Sequence, residues 1–424
     1  MWALKRALGV VVGLSLAACH APTAGGADPA TEYRNGQWFD GQRFVAKTMW
    51  AGGDTFVESR PRRVGTVVDL KNGFVVPPYA DGHNHWLEPT LVDAYVQTHL
   101  RDGIFYVKDH GTAPLIHDQM RPVLGGAASV DFISAHQGFT GPDGHPIEIV
   151  DALAGAGVLP AEWARTDGEG EALFVVTSEQ DIDRAWPRLM AGKPDFVKVF
   201  LVHSEEYTSR RDNTALTPKN RGIDPSLVPA IVARTHAAHL RVSAHIENAH
   251  DFHVAIAAGV DDIAHMPFVE KDHPDRYRLA EADLRAAAAR GVSIATTLDW
   301  MREKPTEQQI AVVRDNFAAM RRAGNTIVIG TDQFRQTARV EADLIAGHQL
   351  MSNLEILRAW SIATPRAIFP NRRLGRLAGG FEASFLVLGG NPLADFANAH
   401  AIVLRVKQGQ QIVPRETKLP SLGG

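Results

Sequence analysis

Two histidines one residue apart, His83 and His85, close the stretch FVVPPYADGHNH, residues 74–85. On extended backbone, residues two apart point to the same side, so both imidazoles can chelate one cation. With 18 histidines in 424 residues, about one such triplet arises by chance. The pair therefore gains its weight from four more metal-type residues, each at the end of its own apolar run or inside one. Lys198 sits within DFVKVFL, His245 ends LRVSAH, His265 ends DDIAH, and Asp332 ends TIVIGTD. A lysine in so apolar a run points into an interior or is costly to bury. Two readings of Lys198 stand. One is an ammonium paired with a carboxylate. The other is a desolvated amine that captures CO2 as a carbamate, turning a cation into an anionic bridge between two metals; burial lowers a lysine pKa and so favours that chemistry.

These residues need a scaffold that brings strand ends together. Between Pro78 and about Pro370, short apolar runs alternate with helical stretches. The expected strands are Phe74–Val76, Gly103–Val107, Val130–Ser134, Phe196–Leu201, Arg241–Ala244, Asp262–Ala264, Val292–Thr296 and Thr326–Ile329. Helices are expected over Leu227–His239, Ala249–Ala258, Glu281–Ala289 and Gln308–Arg322, the last stopped by Ala323-Gly324. Eight strand–helix units predict an α/β fold, a (β/α)8 TIM barrel, whose site lies at the carboxyl ends of its strands. Both flanks, residues 31–77 and 371–415, read instead as short strands and turns, which predicts a small β-sandwich assembled from the two ends around a barrel spanning 78–370. His236, His239, His250 and His253 are spaced i,i+3 in helical stretches and read as outer-surface residues.

Taken together, H-x-H after the first strand, Lys in the fourth, His after the fifth and sixth and Asp after the eighth resemble the amidohydrolase superfamily. The segment DGIFYVKDHG at 102–111 is similar to that family's second strand, D-G-V-T-T-V-R-D-x-G. GFTGPDGH at 138–145 is similar to the third loop of the prolidase and imidazolonepropionase-like branch. The closing run from Leu374 through GNPLAD at 390–395 resembles the family's last strands, and the likeness extends from about residue 60 to 413. Departures are Ala383-Ser384-Phe385 for the usual A-D-L, bulky Phe105-Tyr106 in the second strand, and Gln333 rather than Ser after Asp332.

The resemblance implies a metal-dependent hydrolase of a C–N bond in a dipeptide, another amide or a cyclic amide, with Xaa-Pro dipeptides among its forms. One divalent ion would be held by His83, His85 and Asp332, and a second by His245 and His265. Carboxylated Lys198 and a bridging hydroxide would be shared between them. Asp332 would take the proton of the water and pass it to the leaving nitrogen. Nitrogen and oxygen ligands suggest zinc. His145 either bonds the substrate or its oxyanion, or caps its own loop. Arg210-Arg211 and Arg335 are candidates for binding a substrate carboxylate, and Trp86 and Trp300 for lining an apolar pocket. Two other readings are a mononuclear deaminase-like enzyme with unmodified Lys198, and a non-catalytic interaction module of the envelope.

Composition narrows the field. A hydrophobic content of 45%, a charged content of 22% and a formal charge of −4 describe a globular protein with no basic surplus for nucleic acid. The amino terminus differs. Lys5 and Arg6 precede an apolar segment, ALGVVVGLSLAA, of signal-peptide length, and Leu16-Ala-Ala-Cys19 resembles the lipobox of bacterial lipoproteins. Cys19 is the only cysteine. The expectation is a signal over 1–18, a lipid on Cys19 and a tether over 19–30. His20 at the next position implies the periplasmic side of the outer membrane.

Overall fold

Pro77 and Pro78 divide two architectures. The computed structural model describes residues 29–165, 168–213, 215–217 and 220–420. The signal segment, Cys19 and the tether up to residue 28 lie outside the described residues, while Ala30, placed in the tether by the sequence reading, already opens a strand. Before the prolines run β1 (Ala30–Phe39), β2 (Phe44–Gly52), β3 (Thr55–Val57), β4 (Val64–Asp69) and β5 (Phe74–Val76). After them come β6 (Tyr79–Asn84), β7 (Ile104–Asp109), β8 (Asp131–Ser134), β9 (Gly138–Thr140), β10 (Leu173–Val175), β11 (Phe196–Phe200), β12 (Arg241–His245), β13 (Asp262–Ile263), β14 (Ser293–Ala295) and β15 (Thr326–Val328). The chain ends with β16 (Phe385–Leu388), β17 (Ile402–Lys407) and β18 (Gln410–Ile412).

β1 to β5 and β16 to β18 form one branching sheet in the order β18-β17-β16-β5-β1-β2-β3, with β4 on β1. A register shift between Tyr33 and Gly36 lets the first half of β1 pair with β4 and the second half with β5. The folded-over sheet is a β-sandwich whose core holds Tyr33, Trp38, Phe56 and Phe385. Tyr33 and Phe385 meet edge to face at 4.9 Å, which directs the rings beyond what area burial alone does. Phe74–Val76 belongs here and not to the barrel. It pairs with β1 and β16, and two successive prolines, each without an N–H, end it before the barrel begins.

β6 is the true first barrel strand, parallel to β7, which is parallel to β8. β9, β11, β12, β13, β14 and β15 follow as parallel neighbours, and β10 lies on the far side of β9. β8 and β9 are two pieces of the third barrel strand, parted at residues 135–137, where His136 takes φ 60°. The ring closes where the Gly82 N–H donates to Ile329 O at 2.8 Å and the Thr331 N–H to His83 O at 2.9 Å. β6, β7 and β11 are buried throughout, as expected of strands covered on both faces. The helices Ala249–Ala258 and Glu281–Ala289 have the bounds read from sequence. Glu307–Ala323 opens on a Thr306/Gln309 capping box and stops at Gly324, whose φ of 78° suits glycine.

Lys407 locks the sandwich to the barrel. Its fully buried ammonium donates to Gly126 O and Ser129 O at 2.6 Å and to Asp131 Oδ1 at 2.7 Å. Asp131 also pairs with Arg372 at 2.7 Å. Lys407→Met strands two carbonyls and half of this carboxylate's charge partners, at a cost of about 3 kcal/mol. Thermal unfolding of the variant should begin several degrees lower with metal content unchanged; an unshifted midpoint contradicts the assignment.

Candidate active site

Three buried aspartates set the loops at the carboxyl ends of the strands. Asp81 accepts from Asn84 Nδ2 at 2.8 Å and from the Ala338 N–H at 2.9 Å, tying the H-x-H loop to the loop after β15. Burial pushes its carboxyl up to about 7. Asp109 accepts from the N–H groups of Trp86 and Thr112 at 2.7 Å and of Gly111 at 3.0 Å. Asp251 accepts from the N–H groups of Ser204 at 2.7 Å and of His203 and Glu247 at 3.0 Å, joining the loops after β11 and β12. Side chains placed by such loops keep one position, because several bonds must break together to move them.

His83 Nε2 and His85 Nε2 lie 3.2 Å apart and each lies 3.0 Å from Asp332 Oδ1. This trio could hold a metal ion. Asp332 stands in the left-handed region at φ 54°, a conformation Asp tolerates better than most residues. Its N–H and that of Thr331 both donate to His83 O at 2.9 Å. The seam admits only glycine at 330: a Cβ there would sit 2.6 Å from His83 N.

A second pair faces this trio. His245 Nδ1 and His265 Nε2 approach to 2.7 Å. The remaining ring nitrogens are engaged elsewhere. His265 Nδ1–H donates to Met266 O at 3.0 Å, His245 Nε2 lies 2.9 Å from Glu247 Oε1, and His83 Nδ1–H donates to Ala264 O. Each carbonyl partner demands the N–H, so the opposite nitrogen of that ring presents a lone pair. Burial holds these imidazoles neutral: His83 falls to about 4, His265 to about 3, and His245 lies well below its ordinary value. Burial works to raise Asp332, but the hydrogen bonds it accepts from His83 and His85 hold it well below the usual carboxylate range. Neutral imidazole nitrogens converging on an ionised carboxylate are a fitting donor set for a divalent cation.

Lys198, 2% exposed, lines the same cavity as His85, His245 and Asp332. Among the described residues no hydrogen bond or ion pair holds its ammonium, and its nitrogen lies 5.5 Å over the Phe200 ring. Burial pulls its pKa down to about 7. His145 is also in the wall, its ring 4.4 Å from that of His245 and its Nδ1 2.6 Å from Glu148 Oε1. The six expected metal ligands and His145 are thus gathered at one end of the barrel.

Other nominations fall elsewhere. Trp86 is fully buried against Tyr95, outside the cavity, and Trp300 does not line it either. Arg335 is paired with Glu88 at 2.6 Å, Arg210 with Glu206 at 2.8 Å and Arg211 with Asp212 at 3.1 Å, and none of the three lines the cavity. His110 occupies the variable position of the second-strand motif. It packs on His83 at 3.9 Å between ring centres and donates from Nε2 to Ser243 Oγ at 3.1 Å, while its Nδ1 is buried with no partner among the described residues. Ser243 passes the chain of bonds to Asp262, which holds Lys108 at 2.6 Å inside the barrel. A histidine directly after a buried strand, as at 245 and 265, was the available signal.

Comparison with known proteins agrees with this architecture. The family model described as the amidohydrolase family matches residues 202–411. No curated protein sequence matches. Among solved structures, a prolidase complexed with N-methylphosphonate-L-proline is 18% identical over 91% of this chain and 100% of its own, with a TM-score of 0.67. A Xaa-Pro dipeptidase with bound methionine in the active site is 17% identical over 90% of this chain and 99% of its own, at 0.70. Ochratoxinase of A. niger is 16% identical over 93% of this chain and 97% of its own, at 0.69. The chain thus matches the amidohydrolase family model over residues 202–411 and shares its barrel-and-sandwich fold with prolidase-like structures.

Proposed function

We propose that the protein is a metal-dependent hydrolase of a C–N bond, with His83, His85 and Asp332 holding one divalent cation, His245 and His265 a second, and carboxylated Lys198 shared between them. The observation that carries this reading is the 2.7 Å approach of His245 Nδ1 to His265 Nε2 beside the His83–His85–Asp332 trio. Nitrogens so placed repel unless a proton or a cation lies between them. Zinc suits the donor set. Divalent cations bound there supply an electrophile for the scissile carbonyl and ease deprotonation of water.

The chain's own residues do the rest. The Asp332 carboxylate takes the proton of the attacking water and returns it to the leaving nitrogen. His145, engaged through Nδ1 with Glu148, leaves Nε2 for the substrate. The apolar cavity around them excludes bulk water and strengthens each charge interaction. Neighbours named for hydrolysis of prolyl peptides, phenylurea and molinate share the fold, which supports C–N hydrolysis while leaving the scissile group open. Cys19, in its lipobox-like setting, supports a chain anchored by lipid to the periplasmic side of the outer membrane. Prolonged chelation should remove hydrolysis of amide substrates, and added zinc should restore it. Full activity of the metal-free chain would refute the reading.

A further inference from the structure

The cavity above the candidate metal residues has a volume of about 320 Å³, near the lower end for small-molecule sites. Its charge is confined to one end. Of the described residues that line it, the charged ones are Lys198, Glu247 and Asp332, all within the cluster already assigned. Apart from His85, His110, His136, His145, His245 and Gln333, the remaining lining is apolar. Ile149, Val150 and Leu153 come from the helix Ile147–Gly155, Leu159 and Trp163 from the bend and short 3-10 helix after it, and Phe334 from the loop after β15. Ile149 and Leu153 are one helical turn apart and share a face. Val150, Leu159 and Trp163 are each at most 6% exposed, so the wall is set in the core.

What the wall lacks is as informative. No arginine lines the cavity among the residues whose side chains are described, which leaves out Arg165. Guanidinium groups on the loops after β11 and β15 are engaged: Arg335 with both oxygens of Glu88, Arg210 with Glu206, and Arg221 with Asp143 at 3.0 Å. A substrate carboxylate seated against this wall would give up its hydration with no cation in exchange. The cationic alternative is the metal centre, where a carboxylate would occupy the place of the scissile carbonyl and bind unproductively.

We infer that the preferred substrates are uncharged amides, carbamates or ureas whose non-reacting group is a bulky aryl or branched alkyl seated against Ile149, Leu153 and Trp163, and that amides with a free carboxylate, dipeptides included, are poor substrates. The inference rests on the hydrolase reading above. It departs from the Xaa-Pro form of that reading.

Two assays on the metal-loaded full chain test it. The first compares kcat/KM for the 4-nitroanilides of acetic, hexanoic and phenylacetic acids, and for N-phenylacetyl-phenylalanine against its carboxamide. The expected result is a rise of about tenfold or more from acetyl to phenylacetyl, and a similar advantage of the carboxamide over the acid. The second titrates the neutral dye N-phenyl-1-naphthylamine by fluorescence. Its affinity should fall about tenfold or more in Trp163→Ala and in Ile149→Lys, the latter at a partly buried helical position. Ile149→Lys should also narrow or reverse the preference for the carboxamide. Acids hydrolysed as fast as their carboxamides, or dye affinity unmoved in both variants, would overturn the inference and leave the hydrolase reading intact. If the dye behaves as expected while no amide, acid or dipeptide is cleaved, the hydrolase reading fails and the cavity's preference for uncharged apolar ligands stands.

Discussion

Asp332→Asn should lower kcat by about 10²–10⁴-fold, the range expected for loss of a general base, while the protein stays folded and retains much of its metal. The backbone at 332 is left-handed, and asparagine accepts that conformation as readily as aspartate. The two N–H bonds to His83 O come from the main chain and survive the change. An amide oxygen can still face His83 and His85. What is lost is the site that receives a proton in the proposed mechanism. The acid limb of the pH profile should vanish with the activity, since the group that must be ionised is gone. A variant with near-normal kcat and a wild-type profile would assign the proton transfer elsewhere.

How far these residues could be read in sequence follows from their position. His83, His85, Lys198, His245, His265 and Asp332 each interrupt or end an apolar run, and a polar residue at such a point is visible without a structure. The barrel strands were legible for the same reason, since burial on both faces makes them short, continuous apolar segments. Phe74–Val76 misled because a sandwich strand and a barrel strand look alike over three residues; only the two prolines hinted that the chain changes layer there. Asp81, Asp109 and Asp251 were not legible as loop anchors. Their bonds go to N–H groups from 2 to 257 positions away, and no spacing in one sequence reveals such partners. The apolar wall was hidden differently: Ile149 and Leu153 show the spacing of any amphipathic helix, and nothing local says that their face lines a cavity. Trp163 lies in a short 3-10 helix away from the barrel strands, whereas Trp86 and Trp300 come shortly after strand ends.

Lys198 is the residue on which the two-metal reading turns. Two cations side by side repel each other, and neutral histidines do nothing to relieve it, whereas a carbamate adds a negative charge and two oxygen donors. Burial brings the lysine to a pKa of about 7, so much of it is free amine near neutrality and can capture CO2. Lys198→Ala should therefore lose metal and activity together. Short carboxylic acids should restore part of each by filling the vacated space. Lys198→Arg should recover neither, because a guanidinium remains a cation and cannot form the carbamate.

The most direct test is elemental analysis of the purified chain, with and without Lys198, in buffer containing bicarbonate. The account predicts about two equivalents of divalent metal per wild-type chain and fewer than about one in Lys198→Ala. An active wild-type chain with no bound metal, or a full complement retained without Lys198, would contradict it.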